Sequence, residues 1–155
     1  MPRYRVFIAY GGSSALTVAS AMADCLWHQG LQPQIGAPGC RGSVSVARQE
    51  DLFRLLRTCH AVLAVNAAQS YNTRKFIDEV EMARYGDVPI PVLAFIEKGC
   101  KVIYVLKVGC TRIEFPKGGH KRKCANVASQ LRLEIKRSNS VIVEERKDLP
   151  RRTIV

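Results

Sequence analysis

Hydrophobic positions along this chain fall into short continuous runs that alternate with longer segments of helical period. Arg3 to Tyr10 (RYRVFIAY) is a brief apolar run ended by Gly11-Gly12, the pattern of a buried strand closed by a turn. Ser13 or Ser14 then predicts the cap of a helix running to about Gln29, with Gly30 placed to end it in a left-handed turn. Leu31 to Ile35 predicts a second strand, and Gly36 to Ser43 a glycine-rich loop. Residues 46–58 set Val46, Leu52, Phe53, Leu55 and Leu56 along one helical face. His60 to Val65 (HAVLAV) is almost wholly apolar, as a central parallel strand covered on both faces requires.

The second half continues the alternation. Asn66 to Asn72 reads as a polar loop, and Thr73 predicts the cap of a helix to about Tyr85. Asp87 to Pro91 ends that helix and introduces a strand from Val92 to Ile96. Lys101 to Lys107 and Arg112 to Phe115 predict two more strands. Residues 120–137 predict a basic final helix with Val127, Leu131 and Ile135 at four-residue spacing. Ser138 to Val155 is polar apart from a β-like patch at Val141–Val143. It is expected to be a loosely held basic extension to a domain spanning residues 1–137.

Repeated strand–helix pairs with short connections predict a flavodoxin-like, doubly wound α/β domain: a mainly parallel sheet with helices on both faces. The 155 residues suit one domain, and 47% apolar with 24% charged residues is an ordinary globular balance. No apolar run reaches the roughly 18–20 residues of a membrane span, and the opening MPRYRV does not read as a signal peptide, so a soluble cytoplasmic protein is expected. The net charge of +11 is uneven: residues 1–97 hold 9 Lys and Arg against 8 Asp and Glu, residues 98–155 hold 15 against 5. Either a polyanion-binding face or a solvated basic face accounts for that excess. The basic residues lack interleaved aromatics for base stacking, which argues against nucleic acid. The six cysteines include no Cys-x-x-Cys pair, and Cys110, His120 and Cys124 lack a fourth ligand. No metal is expected, and the cysteines read as free thiols.

In a doubly wound sheet, ligands sit beyond the carboxyl ends of the strands, which selects three loops: 10–14, 36–43 and 66–73. Tyr10-Gly11-Gly12-Ser13-Ser14 joins a strand to a helix start, where glycines allow close approach and backbone N–H groups favour a phosphate. A plain tight turn fits the same residues. The second loop offers Arg41 as a pyrophosphate partner or as an ordinary exposed arginine. After the third strand, Asp78, Glu79 and Glu81 crowd one stretch of helix. Phe76, Glu79 and Ala83 share a face at three- and four-residue spacing, so Glu79 is drawn toward the core while Asp78 and Glu81 point elsewhere. A carboxylate in that position is either paired for structure or functional.

Several stretches carry a likeness to one family. Val6-Phe7-Ile8-Ala9-Tyr10 matches its first strand motif, with Ala9 where serine is usual. Gly36–Ser43 falls at its long loop after the second strand, without the usual Arg-Asp. His60–Val65, Ser70-Tyr71, Glu79–Ala83 and Pro89–Val92 follow the order of its third strand, catalytic helix and fourth strand. Together, over about residues 3–135, the chain resembles a TIR domain of the stand-alone prokaryotic kind.

The resemblance implies an NAD+ glycohydrolase or cyclase. Such an enzyme cleaves the nicotinamide–ribose bond to give nicotinamide and ADP-ribose, or a cyclic isomer serving as an anti-phage signal. It implies Glu79 as the catalytic carboxylate, four residues before the small Ala83, with Glu81 as second candidate. Lys75 stands where the family often has tryptophan, and Phe76 beside it is the implied aromatic wall. Tyr10, Gly11, Gly12, Ser13, Arg41, Ser43 and Tyr71 are the implied substrate contacts. NAD+ enters as substrate, and no cofactor is expected. The implied partners are further copies of the chain on activation and a separate effector reached through the nucleotide product, with no membrane. Two other readings stay open: a non-catalytic TIR adaptor acting by self-association, and a nucleoside deoxyribosyltransferase-like enzyme.

Overall fold

The structure, a computed structural model, describes residues 3–35, 46–68, 74–86 and 89–147. Its described residues form five strands and four helices, alternating up to β4: β1 (Arg5–Tyr10), α1 (Ser13–His28), β2 (Gln32–Ile35), α2 (Val46–Arg57), β3 (Ala61–Asn66), α3 (Arg74–Tyr85), β4 (Val92–Glu97), β5 (Thr111–Phe115) and α4 (Cys124–Lys147). All strand pairings are parallel, in the order β2-β1-β3-β4-β5. That is the flavodoxin-like order, whose direction of winding reverses between β1 and β3 and opens a crevice at their carboxyl ends.

Two apolar layers sandwich the sheet because side chains alternate along each strand. Val6, Ile8, Leu63, Val65, Leu93 and Phe95 meet Met22 and Leu26 of α1 and Leu131 and Ile135 of α4. Phe7, Ala9, Val62, Ala64, Ala94 and Ile96 meet Leu56 of α2 and Phe76, Val80 and Ala83 of α3. The second layer holds a local peculiarity. Ala9 lies beside Ala64 and Ala64 beside Ala94, so three alanines cross the central strands in one row.

Two sequence expectations are corrected. Lys101–Lys107 is not a strand; it crosses the sheet end as irregular chain with a 3-10 turn at Tyr104–Leu106. The buried Asn66 explains this, since its Nδ2 donates to the Lys101 carbonyl at 3.0 Å and its Oδ1 accepts from the Ile103 amide at 3.2 Å. Those backbone groups are thereby taken from any ladder, and β5 pairs directly with β4. The last helix also does not end at 137. No glycine or proline interrupts residues 124–147, and α4 continues through Lys147, across the patch read as β-like. Residues 148–155 lie outside the described part.

Candidate functional site

α3 places its three carboxylates in three different environments. Asp78 pairs with Arg74 at 3.1 Å on the helix surface. Glu81 accepts a 2.5 Å hydrogen bond from the exposed Tyr104 hydroxyl. Glu79 shares the buried face with Phe76, Val80 and Ala83 and is only 1% exposed. The helical spacing thus turns Glu79 inward, as read from the sequence.

A buried carboxylate ordinarily has hydrogen-bond donors around it. Glu79 has none within normal reach among the described residues: both its oxygens are buried without a hydrogen-bond partner. Lys75, one turn earlier, brings Nζ to 3.5 Å from Oε1, a loose ion pair at the outer limit of hydrogen bonding. Burial dominates, and pushes the carboxyl up to about 7 against the opposing pull of Lys75, with Asp78 adding to the rise. A group so poised changes charge close to neutral pH.

The end of β1 faces the same region. Tyr10 is buried, and the Lys75 ammonium lies 5.7 Å from its ring centre. Burial and then the Glu79 charge hold the Tyr10 phenol above its usual value. The turn that follows departs from the expected capping. Gly12, with φ at 84°, is the N-cap of α1, and no side chain caps the helix. A glycine takes this left-handed φ without the strain a Cβ would bring. Ser14 instead donates to the Ala68 carbonyl at 3.0 Å, tying the β1–α1 turn to the chain leaving β3. With no acidic residue in its first turn, the start of α1 suits a phosphate group.

Tyr10, Gly11, Gly12 and Ser13 are therefore contiguous at the β1 end, with Lys75 and Glu79 of α3 alongside Tyr10. Phe76 is fully buried in the apolar layer under α3. Arg41, Ser43 and Tyr71 lie outside the described residues, as does Thr73, the expected cap of α3. Sequence reading missed Asn66 and the pairing of Lys75 with Glu79. The i, i+4 spacing of Lys75 and Glu79 was the available signal for the second; the first links residues 35 and 37 positions apart and had none.

No protein-family model and no curated protein matches the chain by sequence. Solved structures do match it by fold. A diflavin flavoprotein A3 from Nostoc sp. superposes with a TM-score of 0.52 at 14% identity, over 90% of this chain and 97% of that one. An oxidoreductase from Corynebacterium diphtheriae does so with a TM-score of 0.50 at 11% identity, over 87% and 97%. The likeness establishes the flavodoxin-like fold. It also corrects the expectation that no cofactor is involved: the first of these structures is by name a flavoprotein and the second an oxidoreductase.

Proposed function

We propose that this chain cleaves the N-glycosidic bond between nicotinamide and ribose in NAD+, as the likeness to TIR domains implies, with Glu79 as the catalytic carboxylate. The observation that carries the reading is a buried carboxylate held among the described residues only by a loose 3.5 Å ion pair to Lys75, beside the β1 end at the fold's switch point.

The chemistry needs little more than this. Nicotinamide leaves as a neutral molecule from a cationic precursor, so its departure requires no general acid. Positive charge develops on the ribose, as in the oxocarbenium-like transition state of glycoside cleavage. An ionised Glu79 facing the ribose stabilises that charge, and a water-poor setting strengthens the effect. Hydrogen bonds to other protein groups would spend the carboxylate on structure; among the described residues only the loose Lys75 pair engages it. The start of α1 at Gly12–Ser14 suits the pyrophosphate.

The test is nicotinamide release from NAD+ by concentrated protein, with products resolved by mass to separate ADP-ribose from a cyclic isomer. Glu79→Gln lowers turnover roughly 100-fold or more under this reading. An adaptor releases nothing, and a deoxyribosyltransferase-like enzyme turns over deoxynucleosides instead.

A second reading, a bound flavin nucleotide, is favoured by the name of the diflavin neighbour and the shared fold. The turn at Gly12–Ser14 suits a flavin mononucleotide phosphate as well as a pyrophosphate. Tyr10 and Phe76 bury their rings in the core, so neither offers a stacking face, to a flavin ring or to the nicotinamide for which Phe76 was the expected aromatic wall. A yellow absorbance retained through purification, or gained on titration with flavin mononucleotide, supports this second reading.

A further inference from the structure

On the opposite layer from Glu79, α1 and the start of α4 flank an open groove of about 600 Å³ whose lining includes Asp24, Cys25, His28, Lys121, Arg122 and Cys124. Two thiols from different helices meet in its wall. Cys124 is buried at 7% exposure in the core cluster, and the half-buried Cys25 packs against that same cluster, so both line one wall of the groove. The geometry points to Cys25 and Cys124 as a dithiol site that closes to a disulfide on reaction with a peroxide, joining α1 to α4.

The two sulfurs differ in ways that fix their roles. Cys25 borders open space, so it meets the oxidant first. Burial and the neighbouring Cys25 push the Cys124 thiol up to about 12, which keeps it protonated until a partner sulfur is activated. His28 stands one helical turn from Cys25. Its Nδ1 lies 2.7 Å from the Asp24 carbonyl, which only accepts, so Nδ1 carries the proton of that hydrogen bond. The Cys25 sulfur attacks one peroxide oxygen, the O–O bond breaks, and water departs as the sulfenic acid forms. The Cys124 sulfur then attacks Cys25, the S–O bond breaks, and the Cys124 proton leaves with that oxygen as a second water. Two thiols and one hydrogen peroxide become one disulfide and two waters.

Full-length reduced protein treated with one equivalent of hydrogen peroxide, then alkylated, digested without reductant and mapped by mass, tests the site. The expected product is the Cys25–Cys124 cross-linked peptide, two hydrogens lighter than its reduced parts. Before oxidation, Cys25 is expected to alkylate at least tenfold faster than Cys124. Cys124→Ser is expected to trap a sulfenic acid on Cys25, and Cys25→Ser to leave Cys124 reduced. Recovery of both residues as free thiols overturns the proposal, as does a bond from Cys25 to any other cysteine or to a second molecule. The wild-type map decides the matter even where a variant folds poorly.

Discussion

Asn66 and Glu79 are the polar side chains buried among the described residues, and they are treated in opposite ways. At the end of β3, Asn66 is fully employed, donating to one backbone group and accepting from another at 3.0 and 3.2 Å. In the second turn of α3, Glu79 is equally shut away from water but holds only a loose contact to Lys75 at 3.5 Å. The first arrangement stabilises a fold, because a buried polar group costs little once paired. The second weakens a fold, because a buried charge with only a loose ion pair among the described residues retains much of its desolvation penalty. Under the proposed reading, a ligand supplies the partners that the described residues do not.

This contrast is open to measurement. Phe76→Ala sets the scale for packing on the same helix. Loss of a fully buried ring from that layer lowers unfolding free energy by about 4 kcal/mol in a denaturant titration. The pH dependence of stability comes next. The folded carboxyl of Glu79 holds its proton to about 7, against an ordinary value of 4.5. Between those values the folded state binds more protons than the unfolded chain, so stability falls as pH rises through that window. The loss amounts to something on the order of 3 kcal/mol and is absent in Glu79→Gln, as parallel denaturation curves at several pH values will establish.

Asn66→Ala has a different signature. It strands the Lys101 carbonyl and the Ile103 amide, lowering stability by about 2 kcal/mol with no new pH dependence. A comparable pH dependence in both variants would erase the distinction drawn between the two sites. The smallest effect belongs to Lys75→Met. Without the ammonium that opposes burial, the Glu79 carboxyl rises further, and the ascending limb of the rate–pH profile moves alkaline by about one pH unit.

Much of this layout was legible in the sequence, for reasons particular residues make plain. Phe76, Glu79 and Ala83 fall on one face by spacing alone, and that spacing carries Glu79 inward. HAVLAV can be covered on both faces only in the middle of a sheet, which is where β3 lies. Failure came where a distant partner overruled a local pattern. Lys101–Lys107 has the composition of a strand, but the Asn66 side chain takes its backbone groups. Ser13 and Ser14 look like caps, yet Gly12 fills that place and the Ser14 hydroxyl reaches across to Ala68. The row of Ala9, Ala64 and Ala94 depends on strand register, which pairing sets and no single segment reveals.

The most direct test of the central claim is the rate of nicotinamide release from NAD+ by concentrated full-length protein, followed across pH beside Glu79→Gln. The account predicts release that climbs through an apparent pKa near 7 and falls roughly 100-fold or more in the variant. Equal rates in the two proteins, or no release at any pH from folded wild-type protein, would contradict it.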